Sequence, residues 1–140
     1  MNKYLNPLSR ASIAVIFIAS GIGKVAGFHE TVAMAGSAGL PLPAIAIAIA
    51  ALIEIGAGLA LLAGWRVRWA SLALIVFLIP ATLLFHAAHM GDPVQGRMQT
   101  IEALKNLAIL GGLLKFYVDA SGGAFAERPE VETRDYIAAI

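Results

Sequence analysis

Glu54 is the residue from which chemistry can be read. It stands inside the otherwise uncharged run 43–62, and a carboxylate near the middle of such a run, if it crosses a bilayer, costs a few kcal/mol or more unless it faces a bundle interior or a wet cavity. It therefore needs a partner or a task. The residues able to meet it are few: Ser20 and Lys24, Thr82, His86 and His89, and Gln99, Glu102, Lys105 and Asn106. Spacings of three or four put Ser20 with Lys24, Thr82 with His86, His86 with His89, and Glu102 with Lys105 and Asn106 on shared helix faces. Two lysines against two glutamates make a neutral set, so pairing inside it satisfies every charge without an imported ion.

Several of these residues have a plainer reading beside the functional one. Lys24 can snorkel to the headgroups. Glu102 and Lys105 form an ordinary i,i+3 pair near the interface. His86 and His89 have the His-x-x-His spacing of a metal pair, yet two histidines at a membrane boundary also serve as interfacial polar groups. Glu54 has no such simple account.

The elements that must position these groups follow from hydropathy. With 59% hydrophobic residues, 14% charged residues and a mean hydropathy of +0.81, the chain belongs in a membrane. Four apolar segments, about 8–28, 43–62, 69–89 and 101–118, are each near the ~20 residues a spanning helix needs. The expected fold is all-α, an integral membrane four-helix bundle formed by residues 1–118, followed by an acidic tail over 119–140. Strict Ile/Ala alternation over 44–50 has the period of a strand, but a lone strand cannot satisfy its backbone in lipid, so helix is expected. The basic start and first apolar run resemble a signal peptide; the length of the run, Lys24 near its end and three further apolar runs argue that it stays.

Basic residues predict the orientation. Lys3, Arg10, Arg66, Arg68, Arg128 and Arg134 fall on one side and Lys24 and Arg97 on the other, six against two, which places both termini and the middle loop in the cytoplasm. Trp65 and Trp69 flank that loop as interfacial anchors. Residues 31–43 carry Gly36, Gly39, Pro41 and Pro43 and read as a loop; 91–97 reads as a polar turn on the same outer side. The tail carries Asp119, Glu127, Glu130, Glu132 and Asp135 and reads as a cytoplasmic extension. Glu54 then lies about 16 Å below the outer end of its helix, and the other polar groups, from all four helices, fall in the outer half too. Small residues such as Gly21, Gly56, Gly58 and Gly112 suit close helix packing.

Several functions are excluded. A net charge of +1 without a basic aromatic-interleaved run argues against nucleic acid. Gly21-x-Gly23-Lys24 lacks P-loop spacing. Absence of cysteine removes thiol exchange, thiolate metal sites and cysteine nucleophiles.

In order along the chain, Ser20-Gly-Ile-Gly-Lys24, Gly39-Leu-Pro-Leu-Pro43, Glu54-Ile-Gly-Ala-Gly-Leu, Leu62-Ala-Gly-Trp-Arg66, Ala81-Thr-Leu-Leu-Phe-His86 and Lys105-Asn-Leu-Ala-Ile-Leu-Gly-Gly112 resemble the DoxX family over about residues 8–116. The resemblance implies a four-helix bundle in a bacterial cytoplasmic (inner) membrane, with members linked to membrane oxidoreductase activity; similar proteins of the DoxD kind belong to thiosulfate:quinone oxidoreductases. Its recurrent polar positions fall here on Lys24, Glu54, His86, Lys105 and Asn106.

On this basis a quinone-like or other small amphipathic ligand is expected at the polar cluster. Lys24, Asn106 or His86 would hydrogen-bond its carbonyl oxygen, and Glu54 would orient Lys24 or relay a proton, with Glu54 and His86 as the groups that handle protons. The expected partners are the lipid bilayer, a membrane or cytoplasmic redox protein that donates electrons, and further copies of the chain. Three rival readings stand beside it: a non-catalytic structural or assembly subunit, a small-solute or ion pathway, and a metal or haem held by His86 and His89 with a carboxylate.

Overall fold

The computed structural model describes residues 2–122, with side chains from Tyr4 onward. Five α-helices and one 3-10 turn follow one another: α1 (Asn2–Ala26), α2 (Phe28–Ser37), α3 (Pro43–Ala63), α4 (Val67–Phe85), the turn Ala87–His89, and α5 (Gly96–Ala120). The described residues are helical apart from short turns, bends and connecting residues, with no strand among them. Three stretches, Tyr4–Ala26, Pro43–Ala63 and Val67–His89, are long and apolar enough to cross a membrane. α5 is long as well, but Glu102, Lys105 and Lys115 interrupt its apolar face.

Helix starts and stops have local causes. α3 opens with Pro43 at its first turn, where the missing N–H is not needed, and the Ile/Ala alternation that follows is helical throughout. It stops at Gly64, whose φ of +72° lets its amide and that of Trp65 bond back to Leu61 and Ala60 carbonyls, a left-handed cap that glycine adopts without strain. α5 begins five residues earlier than its apolar run. Asp92 Oδ1 accepts from the amides of Val94 and Gln95 at 2.8 and 2.7 Å, an Asx turn that orders the chain just before α5, whose first residues fall within the stretch expected as a turn.

α2 is a departure from the loop expected over 31–43. Residues 28–37 form a short helix whose Ala35 is 1% exposed and which packs on α3. Ten residues are too few for a stable isolated helix, so the packing holds it. The tail beyond residue 122 lies outside the described residues, as do Arg128 and Arg134 of the orientation count.

α1 lies along α3, α3 against α4 and α4 against α5, while α1 and α5 meet only briefly. That meeting is at Ile13, whose Cδ1 stands 2.5 Å from where a Gly112 Cβ would be. The dry core sits at this level: Ala14, Phe17, Leu61, Leu74 and Leu113 are all at most 2% exposed. Around it, large apolar side chains such as Leu52, Val76 and Leu107 stand more than 60% exposed, as lipid-facing residues of a membrane helix do.

Candidate functional site

Above the Ile13–Gly112 contact, a cavity of about 810 Å³ opens among the helices. All five helices contribute to its wall. Lys24, Glu54, His86, Lys105 and Asn106 line it, so the fold brings together every residue of the expected ligand set. His89 is not among the lining residues.

Glu54 projects from α3 toward α1 and is 3% exposed. Its Oε1 accepts from Ser20 Oγ at 2.9 Å and from Lys24 Nζ at 3.0 Å. Lys24 Nζ also donates to Ser20 Oγ at 2.8 Å and lies 2.8 Å from Oε2. That last contact is an ion pair without hydrogen-bond alignment, which leaves Oε2 buried with no donor aimed at it among the described residues. Gly21 makes the geometry reachable. A Cβ there would fall 2.6 Å from Ile55 Cγ1 and 3.2 Å from both Ala51 O and Glu54 Cβ, so only glycine lets α1 approach this closely. Lys24 Nζ also stands 5.9 Å from the centre of the Phe77 ring on α4, a cation–π contact that favours the ammonium over the aromatic face.

The far wall is polar in a different manner. Asn106 Nδ2 donates to Thr82 Oγ1 at 3.0 Å, and Thr82 donates to Leu78 O at 2.7 Å. Asn106 keeps its carbonyl oxygen and a second N–H for other partners. His86 Nδ1 lies 2.8 Å from Gln99 Oε1, a bond that ties the end of α4 to the start of α5 and leaves Nε2 unassigned. Lys105 pairs with Glu102 at 2.7 Å, with side chains 56% and 37% exposed, so this is the interfacial i,i+3 pair rather than a partner of Glu54.

Two pieces of the site carry weak sequence signals. Ser20 bridges Lys24 and Glu54; its i,i+4 relation to Lys24 is visible in the chain, but its bond to Glu54 depends on helix packing. α2 closes one side of the cavity with Thr31, Met34 and Ala35, and the glycines and prolines after it mask its helical character. Among the described residues no three His, Cys, Asp or Glu side chains cluster as metal ligands, so His86 and His89 have no third protein ligand. Outside the membrane-spanning segments, the amides of Gln95 and then Val94 hold the Asp92 carboxyl below its ordinary range.

Chemically, the cavity presents an apolar body with a buried ion pair on one wall and an amide and an imidazole on another. Such a lining suits a ligand with an apolar body and a hydrogen-bonding end. Compared with known proteins, residues 7–87 match the family model described as DoxX. Inner membrane protein YphA of Escherichia coli (strain K12) is 28% identical over 123 residues, 86% of each chain. Inner membrane protein YqjF of the same organism is 29% identical over 121 residues, 86% of this chain and 88% of the relative. No solved structure matches.

Proposed function

Because the chain belongs to the DoxX family, we propose that it is a multi-pass inner-membrane protein that holds a quinone-like or other small amphipathic ligand in the cavity beside Glu54. The localisation is supported by the two inner-membrane relatives and the three membrane-capable helices. In this reading α5 is the fourth span, completing a transmembrane domain over residues 1–118. Its 25 residues reach about 37 Å, enough for a ~30 Å hydrocarbon layer, and Glu102, Lys105 and Asn106 turn toward the cavity. Both termini then face the cytoplasm.

The observation that carries the ligand reading is the convergence of Lys24, Glu54, His86, Lys105 and Asn106 on one largely apolar space of about 810 Å³. Lys24 has three protons, and its ties to Ser20 and Glu54 hold it at the cavity wall, positioned to donate to a carbonyl oxygen. The second Asn106 N–H and His86 Nε2 offer further bonds. Glu54 anchors Lys24, and with His86 it can take up or return a proton when a bound carbonyl compound is reduced or its hydroquinone oxidised. Electrons come from a membrane or cytoplasmic redox protein, since quinone chemistry resides in the ligand and its donor.

Mass spectrometry and ultraviolet–visible spectra of the gently extracted protein test this. A quinone or other amphipathic small molecule should co-purify with the wild type and be depleted in Lys24→Met and in Asn106→Leu. Lipid alone in the wild type, with unchanged spectra on adding ubiquinone or menaquinone analogues, would count against the reading. A structural role is favoured instead by one feature: Ser20, Lys24 and Glu54 largely satisfy one another across α1 and α3. If Glu54→Gln lowers stability while ligand retention stays intact, that network serves the fold alone.

A further inference from the structure

The end of the bundle formed by the α3–α4 loop lies away from the cavity and carries cations that the cavity does not use. Arg10 on α1 reaches over the α3 terminus, where the missing side chain of Gly64 makes room: a Cβ there would stand 2.9 Å from Arg10 Nη2. Arg10 Nε is shielded from solvent and has no hydrogen-bond partner among the described residues. The ion pairs formed by those residues are Lys24 with Glu54, Lys105 with Glu102 and Lys115 with Asp119; none includes an arginine. A guanidinium stays charged at any pH a protein meets, and a shielded N–H donor left unsatisfied is costly. Arg10 thus has no anionic partner among the described residues.

Two more arginines share this end. Arg66 lies 5.7 Å from the centre of the Trp65 ring, and Arg68 lies 5.5 and 5.6 Å from those of Trp69 and Tyr117. Such cation–π contacts leave the guanidinium N–H groups free to bind a planar or tetrahedral oxyanion. α4 starts between them with no side-chain cap, and while the Trp69 amide bonds to Arg66 O, those of Val67 and Arg68 have no intrahelical acceptor and add positive potential at the same place. Asp119 is the one described carboxylate near this end, and Lys115 occupies it. Trp65 and Trp69 are 65% and 58% exposed, as rings at the headgroup level of a bilayer are.

We propose that Arg10, Arg66 and Arg68 form a binding site for a phosphate-bearing anion, supplied in the membrane by the headgroup of an anionic phospholipid. The arginines provide forked donors matched to phosphate oxygens, the tryptophans set the depth, and clustered basic residues at one membrane face are the pattern that recognises anionic lipid. The site is independent of what the cavity holds, so either can fail without the other.

Native mass spectrometry of the full-length protein in neutral detergent, titrated with phosphatidylglycerol or with phosphatidylcholine of identical chains, tests the proposal. The wild type should retain phosphatidylglycerol preferentially, and the apparent affinity should fall roughly 5-fold for each arginine replaced by glutamine. Arg66→Gln and Arg68→Gln alter exposed side chains and keep the test valid if Arg10→Gln does not fold; Arg66→Lys should fall between wild type and Arg66→Gln. Millimolar inorganic phosphate that displaces phosphatidylglycerol would confirm phosphate chemistry at the lipid site, whereas binding of inorganic phosphate with no lipid preference would overturn the lipid source. Equal retention of the two lipids with no phosphate binding, or a phosphatidylglycerol preference that survives in the folded Arg66→Gln/Arg68→Gln variant, overturns the site.

Discussion

Replacing Glu54 by Gln removes the negative member of a pair whose atoms stand 2.8 Å apart and leaves the Lys24 ammonium, 21% exposed, facing Ser20 and an amide. At an effective dielectric constant of about 20, the direct attraction at that distance is about 6 kcal/mol. Much of it is offset by the cost of withdrawing both charges from water, so removing one partner should cost about 3–5 kcal/mol. Lys24→Met alone should cost at least as much, because it strands the carboxylate, the more deeply buried partner, with Ser20 as its remaining donor. The double variant Glu54→Gln/Lys24→Met leaves no stranded charge and should recover about 2 kcal/mol or more of the summed loss. Reversible unfolding in mixed micelles, followed by circular dichroism, measures all three. Additive single effects, or a loss below about 1 kcal/mol for either, would refute the claim that this pair is a desolvated ion pair holding α1 to α3.

Two glycines give a sharper steric test: Gly21→Ala should cost about 1–3 kcal/mol, because its Cβ meets Ile55 and the α3 backbone and overpacking is not relieved there, while Gly56→Ala, with nothing within 4 Å, should be neutral or gain up to about 1 kcal/mol; reversal of this order in thermal melts contradicts the packing. Asp92→Asn should loosen the turn before α5 at neutral pH, and the difference from wild type should vanish in acid. The sign follows from a carboxyl held below its ordinary range by the Gln95 and Val94 amides: its contribution to the turn is present above the unfolded value near 3.9 and is lost as pH falls through the lower folded value, which amide hydrogen exchange at residues 94 and 95 across pH 2–6 reads directly. His86→Ala or Gln99→Ala should loosen the same corner by about 0.5–1.5 kcal/mol, seen as faster exchange at the end of α4, with equal exchange in wild type and variants weighing against the His86–Gln99 tie.

The membrane helices were legible because they rest on a constraint that acts on the chain one segment at a time. A long apolar run in lipid must bond its own backbone, so α1, α3 and α4 follow from hydropathy even where Ile/Ala alternation has the period of a strand. α2 follows no such rule. Its ten residues are helical because Ala35 is buried on α3, a long-range event with no local signature beyond Thr31, Met34 and Ala35 recurring on one face. Ahead of α5, Asp92 holds a turn through the Val94 and Gln95 amides, and the helix begins at Gly96 within a stretch that reads equally well as a turn.

For the site, the chain alone determined that Glu54 needs company and which few residues could keep it, since the polar groups within its apolar surroundings are few enough to count. It pointed to Lys24 as that partner, with Lys105 left to Glu102 as an i,i+3 pair. Tertiary structure supplied the geometry: α1 lies against α3, and Gly21 lets them approach until Ser20 and Lys24 reach the carboxylate, whereas Lys105 sits on α5, whose backbone does not come close to α3, and closes on Glu102 one turn away. The physical reason is range. Hydropathy and charge cost are properties of a residue in its segment, but which helix stands beside which, and at what distance, depends on the steric fit of glycines and side chains that are far apart in sequence.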